Sequence, residues 1–291
     1  MSLGYTIDNY VRGITAKATR AICESDNSKP AICHAGSAMY EKSKAVVRLL
    51  IDGRSACTAW LVGSEGRLMT NNHCIEDEQK AKVVDVEFNA ESESCEDLCE
   101  DWFGCSGTVV ANETTFIATS TAFDYTLVQL PSSVQLPTTS FLQMRESGAI
   151  VGEQIYIPQH PKAWGKRIAD VLDDGTPAII TATNVSTICS EKAVTYSADT
   201  QGGSSGSPVL SAKDNLVVAI HNCGDNCING GLDVADVIAD LKSHNIDLGD
   251  MVASVDPTSS APTTPEPTPS PANDLFGHIS NMIDSWLNSS R

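Results

Sequence analysis

The sequence predicts an all-β protein in which two antiparallel β-barrels follow one another and a C-terminal helix closes the domain. The barrels are predicted because short β-branched or alternating runs are separated by turn residues, and because residues 133–141 divide these runs into two sets. The helix is predicted over residues 233–242, where four apolar residues fall on one face: Val234, Val237, Ile238 and Leu241.

The first set contains five predicted strands and the second contains seven. An additional apolar strand, Arg67 to Thr70, precedes the histidine motif described below. The ranges in chain order are 45–51, 56–62, 82–88, 107–111 and 125–130, then 149–152, 154–157, 167–171, 178–182, 193–196, 208–210 and 216–220.

The domain organisation follows from composition. A folded domain is expected over residues 36–253, with barrels at about 36–135 and 142–232, behind an N-terminal arm (residues 1–35) tied on by disulfides. Residues 254–273 are rich in Pro, Thr and Ser, which predicts an extended linker. Residues 274–291 carry an apolar stripe at helical spacing. This stripe predicts an amphipathic tail that either docks on a partner or on the protein body, or stays a marginal helix.

Charge and cysteine content narrow the class of protein. Asp and Glu number 37 against 19 Lys and Arg, a net charge of -18, which argues against nucleic acid or an anionic membrane as partner and favours cationic substrates. Ten cysteines occur without a Cys-x-x-Cys pair, so we expect disulfides, a secreted protein and no metal site. No apolar run reaches the roughly 18 residues that a membrane span needs.

The stretch from Asp199 to Val209 is a Gly/Ser loop that ends in a hydrophobic strand. Three glycines surround Ser204 and Ser205, which brings bare backbone amides close to a reacting atom and presents a hydroxyl that can attack a carbonyl. A plain turn is the alternative for such a loop taken alone.

Two upstream motifs favour the chemical interpretation. His73 follows an apolar strand and is adjacent to Cys74, which can form a disulfide with Cys57. Asp124 opens an alternating strand, where a carboxylate can orient a histidine and stabilise its cation. The chain order is therefore His, Asp, Ser.

These three motifs resemble the chymotrypsin-like serine proteases over about residues 36–250. Gly206-Ser207-Pro208 and His221 make the sequence most similar to the glutamyl and lysyl endopeptidases within that family. The resemblance implies two packed six-stranded barrels and hydrolysis of protein or peptide substrates without a metal or organic cofactor. It makes Ser205 the nucleophile, His73 the general base, Asp124 its orienting carboxylate, and the Gly203 and Ser205 amides the oxyanion hole.

Two other interpretations compete with this one. An α/β-hydrolase elbow would use Ser204, but it requires a helix directly after the serine and the order Ser, Asp, His, whereas residues 208–210 predict a strand. A catalytically silent homologue would use its tail and acidic surface for binding. The presence of all three triad residues favours the enzyme.

Specificity is predicted from Asp199, six residues before Ser205, where trypsin-like enzymes place a carboxylate that receives Lys or Arg. Thr200 and His221 match residues that bind the substrate carboxylate in glutamyl endopeptidases, so that specificity is the alternative. Asp199 can also face solvent or bond the amides of its own loop. An aspartate farther downstream can supplement or replace it: Asp225, Asp233 or Asp236. We predict cleavage after Lys or Arg.

The resemblance also implies disulfide pairing. Cys57 pairs with Cys74, Cys23 with Cys227, and Cys33 with either Cys95 or Cys99, while the remaining partners stay open. An acidic loop (residues 91–101) is placed like a calcium loop of some relatives, but a solvated acidic surface is favoured. The sequence lacks an Ile-Val-Gly-Gly start, so we predict that no new amino terminus inserts to form the pocket.

Overall fold

A computed structural model describes residues 22, 24–188, 190–225 and 227–253. The predicted linker and tail, and most of the N-terminal arm, lie outside these residues. The first sheet has seven antiparallel strands in the order β6-β5-β2-β3-β4-β8-β7. Their bounds are β2 Val46–Ile51, β3 Ser55–Val62, β4 Arg67–Thr70, β5 Val84–Phe88, β6 Thr108–Ala111, β7 Thr115–Ser120 and β8 Tyr125–Gln129.

The second sheet has eight antiparallel strands in the order β1-β10-β9-β13-β14-β15-β12-β11. The short strand β1, from the N-terminal arm, pairs with β10 at the sheet edge. The bounds are β1 Lys29–Pro30, β9 Ile155–Gln159, β10 Arg167–Ala169, β11 Ile180–Val185, β12 Ala193–Tyr196, β13 Pro208–Ser211, β14 Val217–Asp225 and β15 Ile228–Asp233.

Each sheet surrounds buried apolar side chains. Trp60, Phe88 and Tyr125 are fully buried in the larger core cluster, which also includes residues from the second sheet. A smaller cluster around Ile157 and Val194 fills the second sheet. Burying large aromatic and β-branched side chains is the main stabilising term in such a fold.

The helices are α1 (Ala38–Ser43), α2 (Glu78–Ala81) and α3 (Val234–Ser243), with 3-10 turns at Ala31–His34 and Pro161–Ala163. Helix α3 begins where the Asp233 side chain accepts a hydrogen bond from the Ala235 amide at 2.9 Å. All four predicted apolar residues of α3 are buried. No helix in the described part of the chain is long and apolar enough to cross a membrane.

The predicted fold class is confirmed, since two antiparallel β-sheets and a C-terminal helix form a chymotrypsin-like double β-barrel. The sheets contain seven and eight strands instead of six each, because β7 adds a strand to the first sheet and β1 and β15 add strands to the second. The predicted strand at 149–152 is wrong. Those residues form a turn in which Ile150 and Val151 are exposed.

Disulfides join Cys33 to Cys95, Cys57 to Cys74 and Cys99 to Cys105. The Cys33–Cys95 disulfide ties the N-terminal arm to the acidic loop. Of the two partners predicted for Cys33, Cys95 is therefore the one observed. Cys223 and Cys227 are also disulfide-bonded, while Cys23 and Cys189 lie outside the described residues.

A buried arginine joins the two barrels. Arg48, on β2, forms an ion pair with Glu87 at 2.7 Å and is fully buried. Its Nη1 also donates to the carbonyl oxygens of Gly104 at 2.9 Å and Ala163 at 2.8 Å. A buried charge of this kind is tolerated because the Glu87 carboxylate compensates it and two carbonyl oxygens accept from Nη1. The turn at residues 160–164 is thereby attached to the first barrel.

Candidate active site

His73 lies directly after β4, in a segment that three side chains hold in place. The Cys57–Cys74 disulfide closes this segment onto β3. Asn71 Nδ2 donates to the Asp124 carbonyl at 2.8 Å, and Asn72 Nδ2 donates to Thr119 Oγ1 at 2.7 Å. The imidazole itself remains partly exposed, as a group that acts on an external substrate must be.

The structure brings His73 and Asp124 into direct contact. His73 Nδ1 lies 2.9 Å from Oδ2 and 3.1 Å from Oδ1 of Asp124, and the His73 amide donates to Oδ1 at 3.0 Å. Since an ionised carboxylate only accepts, the contact assigns a proton to Nδ1 and leaves the Nε2 lone pair available as a base. Asp124 has φ +41°, a strained left-handed conformation at the turn before β8.

Asn222 is a further partner of Asp124 that sequence reasoning missed. Its Nδ2 donates to Asp124 Oδ2 at 3.4 Å, from the strand residue next to His221. The only sequence signal was its position beside the histidine of β14. This weak contact supplies one more donor to the carboxylate that faces His73.

The Gly/Ser loop lies beside this pair. The Ser205 carbonyl accepts from the Thr58 amide at 2.9 Å and lies 4.0 Å from Cys74 Sγ, next to His73 in sequence. The Gly206 amide donates to the His221 carbonyl at 2.9 Å. No hydrogen bond joins the Ser205 hydroxyl to His73 within the described residues, and such bonds often tighten only when substrate binds.

Two backbone amides of the Gly/Ser loop have no hydrogen-bond acceptor among the described residues. The Ser204 amide donates to the Gln201 carbonyl at 2.9 Å, whereas neither the Gly203 nor the Ser205 amide donates a hydrogen bond within the described chain. Gly203 adopts φ +96°, which favours glycine. The arrangement leaves two backbone donors for a negative oxygen.

The elbow interpretation that used Ser204 is excluded by the structure. Ser204 is fully buried, and its Oγ accepts the Gln201 amide at 3.2 Å. Strand β13 follows the loop, where an elbow would need a helix.

Thr200 and His221 belong to a buried polar group that includes two residues not foreseen from the sequence. Thr200 Oγ1 donates to Asn229 Oδ1 at 2.6 Å, and His221 Nδ1 lies 2.8 Å from the Tyr196 hydroxyl. The Tyr196 hydroxyl donates its one proton to the Gly230 carbonyl at 3.0 Å. It therefore accepts a hydrogen bond from His221, and the imidazole proton is assigned to Nδ1. Burial, and then the nearby His73, lower the pKa of His221 to about 3, so this imidazole is neutral.

Asp199 is buried apart from this group, and no hydrogen bond or ion pair joins it to Thr200 or His221 within the described residues. Its Oδ2 accepts the Asn27 amide at 2.8 Å, and it lines a cavity with Leu172, Asp173, Asp174 and Ser197. Burial raises the pKa of Asp199 to about 6, and the charges of Asp26 and Asp173 contribute. Of the alternative pocket carboxylates, Asp233 caps α3.

The N-terminal arm reaches the same loop. Asp26 Oδ2 accepts a hydrogen bond from Gln201 Nε2 at 2.6 Å, next to the Asn27 contact with Asp199. Asp26 and Asn27 therefore contact the Gly/Ser loop through one side chain and one backbone amide. The Asp26 carboxylate and the Asn27 amide thus hold the first residues of the loop by hydrogen bonds.

Metal-ligand spacing is found in one group within the described ranges, Cys57, His73 and Cys74. The two sulfurs of this group are joined in a disulfide, so neither is a thiolate ligand. Three acidic residues of the 91–101 loop have protein partners in the described chain: Glu91 accepts from the Tyr40 hydroxyl at 2.9 Å, Asp97 accepts from the Cys99 amide at 3.1 Å, and Glu100 pairs with Arg167 at 3.3 Å.

The fold and the geometry of this site define a protein of the serine peptidase type. The family model for the trypsin-like peptidase domain matches residues 57–220, more than half of the chain. The chain belongs to the trypsin-like peptidase family.

The curated relatives include "Secreted RxLR effector protein 73" of Plasmopara viticola, which is 41% identical over 252 residues. The match covers 84% of this chain and 62% of that protein. The chain thus spans less than two thirds of the length of this relative.

Solved structures of proteases share the fold. The Rv3671c protease in an inactive form gives a TM-score of 0.52 at 16% identity, covering 75% of this chain and 98% of that chain. The serine endoprotease from Yersinia pestis gives 0.52 at 15% identity, covering 74% and 65%. The HtrA-type protease AlgW with tripeptide gives 0.51 at 17% identity, covering 76% and 64%. At these identities the likeness concerns the fold alone.

Proposed function

We propose that the protein is a secreted serine endopeptidase that hydrolyses peptide bonds through an acyl enzyme on Ser205. The contact of His73 Nδ1 with the Asp124 carboxylate at 2.9 Å, beside a loop with two unused amides, carries this proposal. Membership of the trypsin-like peptidase family supports it. The disulfides of this chain and its similarity to a secreted effector protein of Plasmopara viticola support secretion.

In the proposed reaction, Ser205 Oγ attacks the substrate carbonyl while His73 Nε2 takes the hydroxyl proton. The carbonyl oxygen becomes an anion that accepts hydrogen bonds from the Gly203 and Ser205 amides. When the carbon–nitrogen bond breaks, His73 gives the proton to the leaving amine. Water then attacks the ester, and the same groups return Ser205 to its starting state while Asp124 stabilises the imidazolium.

A fluorophosphonate probe tests this function. The wild-type protein is expected to be labelled at a single site, because an activated serine displaces the leaving group on phosphorus. Ser205→Ala is expected to abolish labelling, and peptide mapping by mass spectrometry identifies the modified residue. Labelling that persists in Ser205→Ala, or maps to another serine, contradicts the assignment.

A catalytically silent homologue that binds a partner is the second candidate function. One observation favours it, namely that no hydrogen bond joins Ser205 Oγ and His73 in the described residues. The effector relative is named as an effector and not as a peptidase, which fits the same candidate. Absence of labelling in folded wild-type protein would support this candidate over the enzyme.

We further propose that the substrate residue before the cleaved bond is Lys or Arg and that Asp199 attracts it. Asp26 and Asp173 add negative charge near Asp199, and no described cation forms an ion pair with this carboxylate. A cationic side chain would offset that repulsion and favour the ionised form of Asp199.

Exchange of Asp199 for serine is expected to weaken cleavage after Lys and Arg by at least about tenfold relative to other sites, because the attracting charge is lost. The measurement is mass-spectrometric mapping of a digest of an unstructured protein.

Since the pKa of Asp199 is raised to about 6, its charge is lost as the pH falls through 6. The wild-type ratio of basic to apolar cleavage should therefore fall below pH 6, while the ratio for Asp199→Ser should not change.

The ratio is used because an effect of pH on catalytic steps shared by both kinds of substrate changes their cleavage equally. An unchanged basic preference in Asp199→Ser rules out Asp199 as the pocket carboxylate. Cuts mainly after Glu would support the glutamyl alternative, in which Thr200 and His221 bind the substrate carboxylate.

A further inference from the structure

Thr58, on the first barrel, contacts the Gly/Ser loop of the second barrel at two points. Its amide donates to the Ser205 carbonyl at 2.9 Å, and its hydroxyl donates to the Gly203 carbonyl at 2.9 Å. The same hydroxyl accepts the His160 amide at 3.1 Å. The side chain is fully buried, so water cannot replace these bonds.

The peptide that carries the Gly203 amide is held from the other side. The Gly202 carbonyl accepts the Lys162 amide at 2.5 Å. In a trans peptide the N–H points opposite to the C=O of the same unit, so this bond fixes the direction of the Gly203 N–H. The carbonyls on both sides of Gly203 are therefore bonded to groups outside the loop.

The loop needs hydrogen bonds from residues outside it, because a glycine restricts rotation about its own backbone bonds only weakly. Gly203 lies at φ +96°, and a Cβ there would meet the His160 carbonyl oxygen at 2.8 Å. A glycine is required for this close approach, and glycine also permits the peptide to turn to other conformations. Without the Thr58 hydroxyl, the Gly203 carbonyl loses the one hydrogen bond that it accepts in the described chain.

The turn that supplies the Lys162 amide is itself held by the first barrel. Lys162 and Ala163 both have positive φ, at +50° and +59°, which side chains rarely adopt. Arg48 Nη1 and the Phe103 amide both donate to the Ala163 carbonyl, at 2.8 and 3.1 Å. Thr58 joins this turn to the Gly/Ser loop through the His160 amide and the Gly203 carbonyl.

We propose that Thr58 is a positioning residue for the oxyanion hole: its hydroxyl, bridging the His160 amide and the Gly203 carbonyl, keeps the Gly203 amide directed at the developing oxyanion. This inference depends on the proposed peptidase function. It assigns to the first barrel a role in transition-state stabilisation separate from that of His73 and Asp124. Thr58 acts through the loop and does not touch the substrate.

The test is the matched pair Thr58→Val, which is nearly isosteric but lacks the hydroxyl, and Thr58→Ser, which retains it. Thr58→Val is expected to lower kcat by about 10- to 100-fold, as for a small misplacement of a catalytic group, with KM changed less than about twofold. Thr58→Ser is expected to restore most of kcat. The inhibition constant of a peptide aldehyde, whose Ser205 adduct occupies the oxyanion position, should rise by the factor by which kcat/KM falls.

Unfolding midpoints of both variants are measured first, and if Thr58→Val is unfolded, Thr58→Ala is compared with Thr58→Ser at low temperature. The proposal is overturned if the variant without the hydroxyl keeps wild-type kcat, if KM alone rises, or if aldehyde inhibition does not change. It is also overturned if Thr58→Ser loses as much kcat as the variant without the hydroxyl. Failure of the proposed function is recognised separately, because wild-type protein then neither hydrolyses peptides nor reacts with the fluorophosphonate probe.

Discussion

Replacement of Ser205 by alanine is expected to lower kcat for peptide hydrolysis by about 10⁶-fold, the scale of loss when a nucleophilic serine is removed. No acyl enzyme can form, because no oxygen is present to attack the carbonyl. A residual rate above that in water is expected to remain, since the Gly203 and Ser205 amides still stabilise the oxyanion. The measurement is kcat at saturating peptide, with active-site titration to exclude contaminating protease.

Ser204→Ala is the matched control for this substitution. Ser204 is the neighbouring serine of the same loop, and its buried hydroxyl accepts the Gln201 amide at 3.2 Å as its one hydrogen bond among the described residues. Loss of one neutral hydrogen bond is worth about 1 kcal/mol, so kcat should fall by no more than about tenfold. An equal loss of kcat in the two variants would mean that both substitutions act by disturbing the structure of the loop. It would contradict the assignment of Ser205 as the nucleophile.

Asp124→Asn is expected to lower kcat by about 10⁴-fold, which is the known effect of replacing the triad aspartate of a serine protease by asparagine. The carboxylate accepts from His73 Nδ1 at 2.9 Å and assigns the proton to that nitrogen. An asparagine amide can donate toward Nδ1, which favours the tautomer with a proton on Nε2 and removes the base facing Ser205. The measurement is kcat and KM with a peptide substrate, and KM should change little.

Asn222→Ala is the control for the surroundings of Asp124. Asn222 contributes one donor to the same carboxylate at 3.4 Å, so its removal should cost about tenfold or less. If Asp124→Asn kept kcat near that of wild type, His73 would not require its carboxylate, and the proposed proton transfer would be wrong. A circular dichroism spectrum that matches wild type shows that each variant is folded.

These two predictions separate the catalytic groups from the groups that position them. Ser205 and Asp124 are expected to affect the chemical step by several orders of magnitude, whereas Thr58 acts through the orientation of one peptide. The smaller effect of Thr58 is therefore measured both by kcat and by the binding of a transition-state analogue, which reports the oxyanion hole directly.

The amino-acid sequence alone determined the elements whose physical signal is local. The α3 helix was predicted because Val234, Val237, Ile238 and Leu241 repeat at helical spacing, and all four are buried. Strand β3 was predicted from a short β-branched or alternating run bounded by turn residues, and six of its eight residues are buried. The order of His73, Asp124 and Ser205 was also readable, because each stands next to a short motif with its own composition.

Strand β15 was not predicted because its Gly230-Gly231 pair weakens any strand propensity. The tertiary structure explains the glycine, since a Cβ on Gly231 would meet the Ile220 carbonyl oxygen at 2.6 Å. Strand β7 was also missed. Its residues are mostly half-buried and show no clean alternation, so their pairing with β8 depends on long-range contacts.

Only the tertiary structure decided which side chains meet in the site. The contacts of Asn27 with Asp199 and of Asp26 with Gln201 join residues about 170 positions apart, and no local pattern encodes such a pairing. Thr58 is one residue of an apolar strand until folding places its hydroxyl 2.9 Å from the Gly203 carbonyl. Periodicity and composition report local geometry, whereas the partner of a buried polar group depends on how the two barrels pack, which is why the loop supports emerged from the structure alone.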